Sequence, residues 1–244
     1  MEAWGITNIG RIRSTNQDSF YLNITHADDQ LYCVICDGMG GANAGNVASE
    51  LAVKCFSELL QKEMRQDMPK VFIRRIIKDS VKAANKSVFD MAVKNANCAG
   101  MGTTLVGLII SNGSAVCANV GDSRAYIIDD AGIMQVTKDH SVIEEMLGRG
   151  ELTREQAKAY PAKNLITRAL GTESVVLCDL FNITLEKDMY ILLCSDGLTN
   201  MVDEQEILYE VLHGGDVATC CNRLIEVANH RGGTDNTTVI LIKF

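Results

Sequence analysis

The spacing of apolar and polar positions changes period several times along this chain, and each change marks an element. Short runs rich in β-formers recur at Trp4 to Ile9, Phe20 to Ile24, Leu31 to Cys36, Met101 to Ile110, Ser114 to Val120, Arg124 to Asp129, Gly132 to Val136, Ser174 to Leu185, Met189 to Ser195 and Thr237 to Phe244. They have strand length and are mostly bounded by Gly, Asp or other polar residues. After Leu31 to Cys36 the period lengthens. Val47, Ala48, Leu51, Ala52, Cys55 and Leu59 follow helical spacing in a helix over about residues 41 to 64. Val71, Ile77, Val81, Ala84, Val88 and Met91 form the buried stripe of a second helix over about 70 to 97, with Pro69 at its first turn. Two more helices lie near the C-terminus, one capped by Asp203 with Glu206, the other opened by Asp216 and ended by Gly232-Gly233.

The strands between Met101 and Val136 are separated by turns with no room for a helical crossover, so they pair antiparallel. Strands in groups and helices in pairs predict an α+β fold. Two antiparallel sheets covered on their outer faces by helix pairs bury all of these stripes. From Lys138 to Arg168 the texture turns polar. Ser141 with Glu144, and Thr153 with Gln156, read as two capping boxes opening short helices, separated by Gly148-Arg149-Gly150 and closed by Tyr160-Pro161. Such an excursion is a candidate flap over a site, with plain surface packing as the alternative.

Four of the strand ends carry an aspartate. Leu31 to Cys36 stops at Asp37-Gly38 and Tyr190 to Ser195 at Asp196-Gly197; Asp122 follows Ser114 to Val120, and Asp235 precedes Thr237 to Phe244. One Asp-Gly between apolar runs is most often a hairpin turn. Four on one chain point to a convergent cluster, whose members repel unless cations neutralise them. Upstream, Arg11 and Arg13 alternate with Ile12, so in an extended chain both share one face, and a guanidinium pairs bidentately with phosphate oxygens. A solvated basic edge is the alternative for both.

Composition narrows the partners. In 244 residues, 47% hydrophobic content with two prolines supports one sizeable core, and no linker, low-complexity segment or repeat interrupts it. The net charge of −8 argues against nucleic acid or an anionic membrane as the main partner. No apolar run has the length of a membrane span, and the N-terminus lacks a signal-peptide layout, so a cytoplasmic protein is expected. Nine scattered cysteines read as reduced core residues. Cys33 and Cys36 face opposite sides of a strand and cannot grip one metal, and the four histidines have no zinc-ligand spacing. Any metal site is therefore built of oxygen, which selects Mg or Mn.

The ordered motifs GxxRxxNQD (Gly10 to Asp18), CDGMGG (Cys36 to Gly41), GTTL (Gly102 to Leu105), VGDSRAY (Val120 to Tyr126), ITRALG (Ile166 to Gly171), CSDGL (Cys194 to Leu198) and GTDNTT (Gly233 to Thr238) resemble those of the metal-dependent, PPM-type (type 2C) protein serine/threonine phosphatases in their short bacterial form. The resemblance covers nearly the whole chain. It implies a four-layer α-β-β-α sandwich with a dinuclear Mn or Mg centre at one edge of the two sheets, a single domain over residues 1–244, and a flap at about 138–168. Carried over residue by residue, Asp37 bridges both metals with the Gly38 carbonyl on one of them, and Asp196 and Asp235 bind the other. Asp122 shares a third, weaker site with Asp196. Arg13 binds phosphate, and Asp18 and Asn236 support the ligands from behind. Two positions depart from the pattern: Met39 stands where many eukaryotic members have a histidine proposed as general acid, and Gln17 where others carry an acid.

The implied reaction is hydrolysis of phosphoserine and phosphothreonine on proteins, by direct attack of a hydroxide shared between two cations. A monomer acting on phosphoprotein substrates, opposing a cognate Ser/Thr kinase, follows from the resemblance. Two other classes compete. A catalytically dead scaffold would have lost ligands, whereas the four carboxylates and Arg13 are intact; a two-metal phosphodiesterase usually recruits histidines, which these motifs lack.

Overall fold

The structure, a computed structural model, describes residues 1–25, 30–40, 44–158, 160 and 165–244. Two antiparallel sheets lie face to face. The first has strand order β1-β11-β10-β7-β8, built from β1 (Glu2–Asn8), β7 (Arg124–Asp129), β8 (Gly132–Gln135), β10 (Tyr190–Cys194) and β11 (Thr237–Lys243). The second runs β2-β3-β5-β6-β9: β2 (Asp18–Thr25), β3 (Gln30–Met39), β5 (Leu105–Ser111), β6 (Ser114–Val120) and β9 (Asp179–Thr184). A two-residue strand β4 (Gly102–Thr103) pairs with the end of β3. Helices α1 (Gly45–Glu63) and α2 (Lys70–Lys94) cover the second sheet. A short helix α5 (Asp196–Thr199), α6 (Glu204–His213) and α7 (Val217–His230) cover the first.

Period-two alternation builds the layers. On β3, Leu31, Cys33 and Ile35 enter the core between the sheets, while Tyr32, Val34 and Cys36 pack under α1 and α2. Cys33 and Cys36 therefore lie in different cores, as their spacing requires. On β10, Ile191 and Leu193 face the second sheet, and Tyr190, Leu192 and Cys194 face the helices. All nine cysteines are free thiols. Among the described residues no helix is long and apolar enough to cross a membrane.

The α+β sandwich is as expected, with local corrections. The first helix begins at Gly45, and residues 41–43 of the Gly-rich turn lie outside the described residues. The second ends at Lys94, followed by a single 3-10 turn, Ala96–Cys98. Val71 and Met91 do not belong to its buried stripe: both are exposed, and Ile73 and Ile76 take the inner positions. Apolar residues on the open side of α2 had pulled the spacing off phase. The expected strand from Met101 is broken at Thr104, and the one from Ser174 begins only at Asp179, because Asn85 of α2 holds the backbone of Gly171, Glu173 and Ser174. Asp203 and Glu206 form a full capping box, as do Thr153 and Gln156. Ser141 caps α3 (Val142–Gly148), but Glu144 turns to Lys138 instead of closing the box. The helix α4 (Arg154–Lys158) follows; the closure at Pro161 lies outside the described residues.

Candidate active site

The alternation that fills the inter-sheet core also sets the cleft. Continuing Leu31, Cys33, Ile35 by two places puts Asp37 on the inter-sheet side where β3 leaves the core; on β2, Phe20 and Leu22 place Asp18 likewise. The two aspartates are register partners. From the other sheet, Ser195 and Thr238 reach across, each donating a hydroxyl to Asp18 Oδ2 at 2.7 Å. Thr238 N–H donates in turn to Ser195 Oγ at 2.9 Å. Asp18, buried, thus ties the end of β10 and the start of β11 to the second sheet.

Backbone crowding fixes the neighbouring residues. A Cβ on Gly38 would lie 2.0 Å from the Gly45 carbonyl oxygen, and one on Gly197 would lie 2.0 Å from that of Asn236. Both approaches are closed to any other residue. Asn236 is saturated: it donates from Nδ2 to the Ile9 and Thr15 carbonyls at 2.9 and 3.1 Å, and its Oδ1 accepts from Gln17 N–H at 2.8 Å. Gln17 O in turn accepts from Gly38 N–H at 3.0 Å. Gln17 therefore holds this turn through its main chain, while its side-chain amide lies against Gly45. Asp37 N–H donates to Thr104 Oγ1 at 3.0 Å, and Thr104 shares a 2.7 Å hydroxyl bond with Ser123, next to Asp122.

The expected residues Asp37, Asp122, Asp196 and Asp235 do come together. Burial, then the charges of Asp18, Asp196, Asp122 and Asp235, hold the Asp37 carboxyl well above the usual range. Burial and the charge of Asp196 push Asp122 up to about 7. Burial pushes Asp18 up to about 6 against the two hydroxyl bonds that favour its ionised form. Asp196 is raised by burial and by Asp235. It is the first residue of α5, a helix of four residues that the sequence pattern does not show, and Asn200 donates to its Oδ2 at 2.9 Å. Its Oδ1, like that of Asp18, is buried with no hydrogen-bond partner among the described residues.

The arginine pair is corrected. Residues 10–12 form a turn, not an extended segment, since Gly10 takes a φ of 80° and Arg11 N–H donates to Gly233 O at 2.7 Å. The alternation of Arg11 and Arg13 therefore does not put both on one face. Arg13 alone meets the carboxylates, its Nη2 donating to Asp235 Oδ2 at 2.7 Å, and that bond raises its pKa.

One cluster was missed. His140 is buried at the base of the 138–168 excursion, where its Nδ1 accepts from Gly121 N–H at 3.0 Å. Its Nε2 lies 2.9 Å from Arg168 Nη1 and 3.2 Å from Asp179 Oδ2, and burial lowers the pKa of the ring. Arg168 donates to Asp179 Oδ1 at 3.0 Å. Main-chain bonds from His140 N to Gly121 O and from Thr167 N to His140 O complete a clasp between both ends of the excursion and the turn carrying Asp122. The only sequence signal was a histidine without zinc spacing.

The donor set fits hard divalent cations: it is all carboxylate and carbonyl oxygen, its charges are mutually repelling, and two buried carboxylate oxygens lack partners. Among the described residues no three acidic, histidine or cysteine groups close on one point as a finished cage. Ions that keep several of their waters need only one or two carboxylates each.

Comparison with known proteins agrees. The family described as Protein phosphatase 2C matches residues 11–227. The serine/threonine phosphatase stp of Listeria monocytogenes is 38% identical over 237 residues, 97% of this chain and 93% of that protein. The crystal structure of serine/threonine phosphatase Stp1 from Staphylococcus aureus superposes with a TM-score of 0.92 at 35% identity, covering 100% of this chain and 94% of that one. The catalytic domain of the serine/threonine protein phosphatase PstP, in complex with two manganese ions, superposes with a TM-score of 0.85 at 30% identity, covering 98% and 96%. Fold and matches define the class, a metal-dependent enzyme that removes phosphate from serine and threonine in proteins. The chain belongs to the protein phosphatase 2C family.

Proposed function

We propose that Asp37, Asp196 and Asp235, with the Gly38 carbonyl, hold a dinuclear Mn or Mg pair, and that Asp122 with Asp196 holds a third, weaker ion. The observation carrying this reading is that the chain brings Asp37 into burial beside Asp18, Asp196, Asp122 and Asp235, so that burial first and then their charges raise the Asp37 carboxyl. Cations held there supply a water of lowered pKa and positive charge to offset the phosphoryl oxygens. Arg13 uses one N–H on Asp235, and its remaining donors engage phosphate, so one guanidinium positions both the ligand and the substrate. Asp18 and Asn236 hold the strand ends in place without touching substrate. A cysteine nucleophile is disfavoured: burial drives the Cys36 thiol well above its ordinary value and the Cys194 thiol up to about 12, leaving almost no thiolate at neutral pH.

We further read residues 1–244 as one phosphatase domain with 138–168 as its flap, working as a monomer against a Ser/Thr kinase. The nine free thiols favour a reducing, cytoplasmic setting. Asp37→Asn tests the site: turnover of a phosphoserine peptide and of p-nitrophenyl phosphate should both fall by about 10³-fold or more, with calorimetry showing lost metal. Arg13→Ala should keep the metal and raise KM by about tenfold. Near wild-type turnover of Asp37→Asn at micromolar Mn would overturn the assignment.

A further inference from the structure

A cavity of about 450 Å³ lies on the outer side of α2, where the helix meets residues 174–176. Its apolar wall is Phe89, Val175 and Val176, and Val175 is 75% exposed. Lys82 and Lys86 line it too, with one acid, Asp90. They continue a series with Arg74 and Lys78, one cation every fourth residue, so that successive members are neighbours along the helix. From Arg74 to Lys86 the helix carries five cations, counting Arg75, against the single acid Asp79, in a chain of net charge −8. Lys82 meets Asp79 at 3.7 Å and Lys86 meets Asp90 at 2.7 Å. Exposed pairs of this kind are worth little, and an incoming carboxylate can replace either acid.

The groove is preformed. Buried Asn85 donates to the Glu173 and Ser174 carbonyls at 3.1 and 3.3 Å and accepts from Gly171 N–H at 2.8 Å, clamping its far wall to α2. That wall also leads to the cleft. A point just above Gly102 lies 2.8 Å from Met39 Cε and 3.1 Å from Thr172 Cγ2, so Thr172 sits beside the residue that follows Asp37-Gly38. Val175 is three residues further on, at most about 11 Å of chain. Adding the contact to Met39 and the two residues back to Asp37, about 7 Å, brings the upper limit of the path to roughly 20–25 Å, and four to six extended residues at about 3.3 Å each, about 13–20 Å, fall within it.

Resting on the phosphatase reading, we propose that this groove docks an extended segment of the phosphoprotein substrate, placing an apolar side chain against Phe89 and Val175 and acidic residues on Lys82 and Lys86, about four to six residues from the phosphorylated serine or threonine. Charge complementarity selects an acidic segment, and the pre-set walls spare it the cost of ordering the site.

The test uses the full chain and phosphoserine peptides carrying Leu-Asp-Glu four to six residues before or after the phosphoserine, against peptides with Gly-Ser there. Wild type should show a KM about fivefold lower for the acidic-apolar peptide in one of the two directions. That gap should close in Lys82→Glu/Lys86→Glu and in Val175→Asp, and shrink with added salt, while p-nitrophenyl phosphate turnover stays at the wild-type rate in both variants. Equal KM values in wild type, or a gap that survives both variants, would overturn the proposal. So would loss of binding to phosphatidylserine-containing vesicles with peptide kinetics unmoved, which would assign the face to a membrane. Peptide affinity measured in parallel by fluorescence anisotropy decides the groove even where turnover fails. Absent p-nitrophenyl phosphate turnover in wild type would count against the phosphatase reading alone.

Discussion

At the strand tips the chain is crowded from every side, whereas helix α3 of the polar excursion packs far more loosely. Gly38 and Gly197 each face a carbonyl oxygen 2.0 Å from where a Cβ would stand, and Asn236 alone fastens Gln17, Thr15 and Ile9. By contrast α3 buries none of its side chains, and a Cβ on Gly148 would meet nothing nearer than Lys138 Nζ at 3.8 Å. Carboxylates that repel one another need a frame that cannot relax. The excursion that carries α3 is instead tied at both of its ends, by the His140 clasp.

The sharpest way to break this comparison is a single methyl group. Gly38→Ala drives a Cβ into the backbone of Gly45 and Gln17, so α1 has to move away from β3. A loss of about 3 kcal/mol is expected, lowering the Tm by about 6–12 °C and removing metal-dependent turnover. Thermal melts and assays on the same preparation check it; an active variant of unchanged Tm would mean the tips are not rigid.

Next in size is the response of the metal-free protein to pH. Asp18 at about 6 and Asp122 at about 7 both lie above the value of an unfolded aspartate, about 3.9, so the folded state holds their protons more tightly. Their contribution is complete below about pH 4 and is lost as pH rises through 6 and 7. In chelator the Tm should fall by about 4–8 °C between pH 5 and 8, a loss of about 2 kcal/mol, and saturating Mn or Mg should remove that fall. A flat profile in chelator would dissolve the cluster.

Much of this architecture is legible in the sequence, and the misses have physical causes. Strand ends such as Ser114 to Val120 were found because polar turns bracket apolar runs. Asp37 could be placed because the apolar run Leu31 to Cys36 stops at it, whereas Asp18, in the polar segment before the expected strand, entered only through the family resemblance. Asp196 as a helix start was invisible, since four residues are too few to show a period. Val71 and Met91 misled because exposed apolar residues look the same in a pattern as buried ones. His140 could not be found because its partners, Gly121, Asp179 and Arg168, are joined only by the folded chain.

A smaller effect sharpens the role of Asp122, which sits where the clasp meets the cleft. Asp122→Asn should keep the fold and two tight metals. It should slow hydrolysis of a phosphoserine peptide by about tenfold more than that of p-nitrophenyl phosphate, whose leaving group needs little protonation. Equal losses on both substrates would reject the leaving-group role. Smallest of all, Gly148→Ala in α3 should raise stability by up to about 1 kcal/mol, since an exposed helical position loses less freedom with alanine. Destabilisation there would show that α3 is tightly packed after all.

Asp18 has a mechanical consequence. It belongs to one sheet and takes its two hydroxyl bonds from the other side, from Thr238 of β11 and from Ser195 just past the end of β10, both on the same oxygen and both 2.7 Å long. Sliding the sheets past each other by one residue, about 3.3 Å, would part both bonds at once and carry Asp196 and Asp235 away from Asp37. The alignment of the cleft is therefore a gauge of how the two halves of the molecule sit.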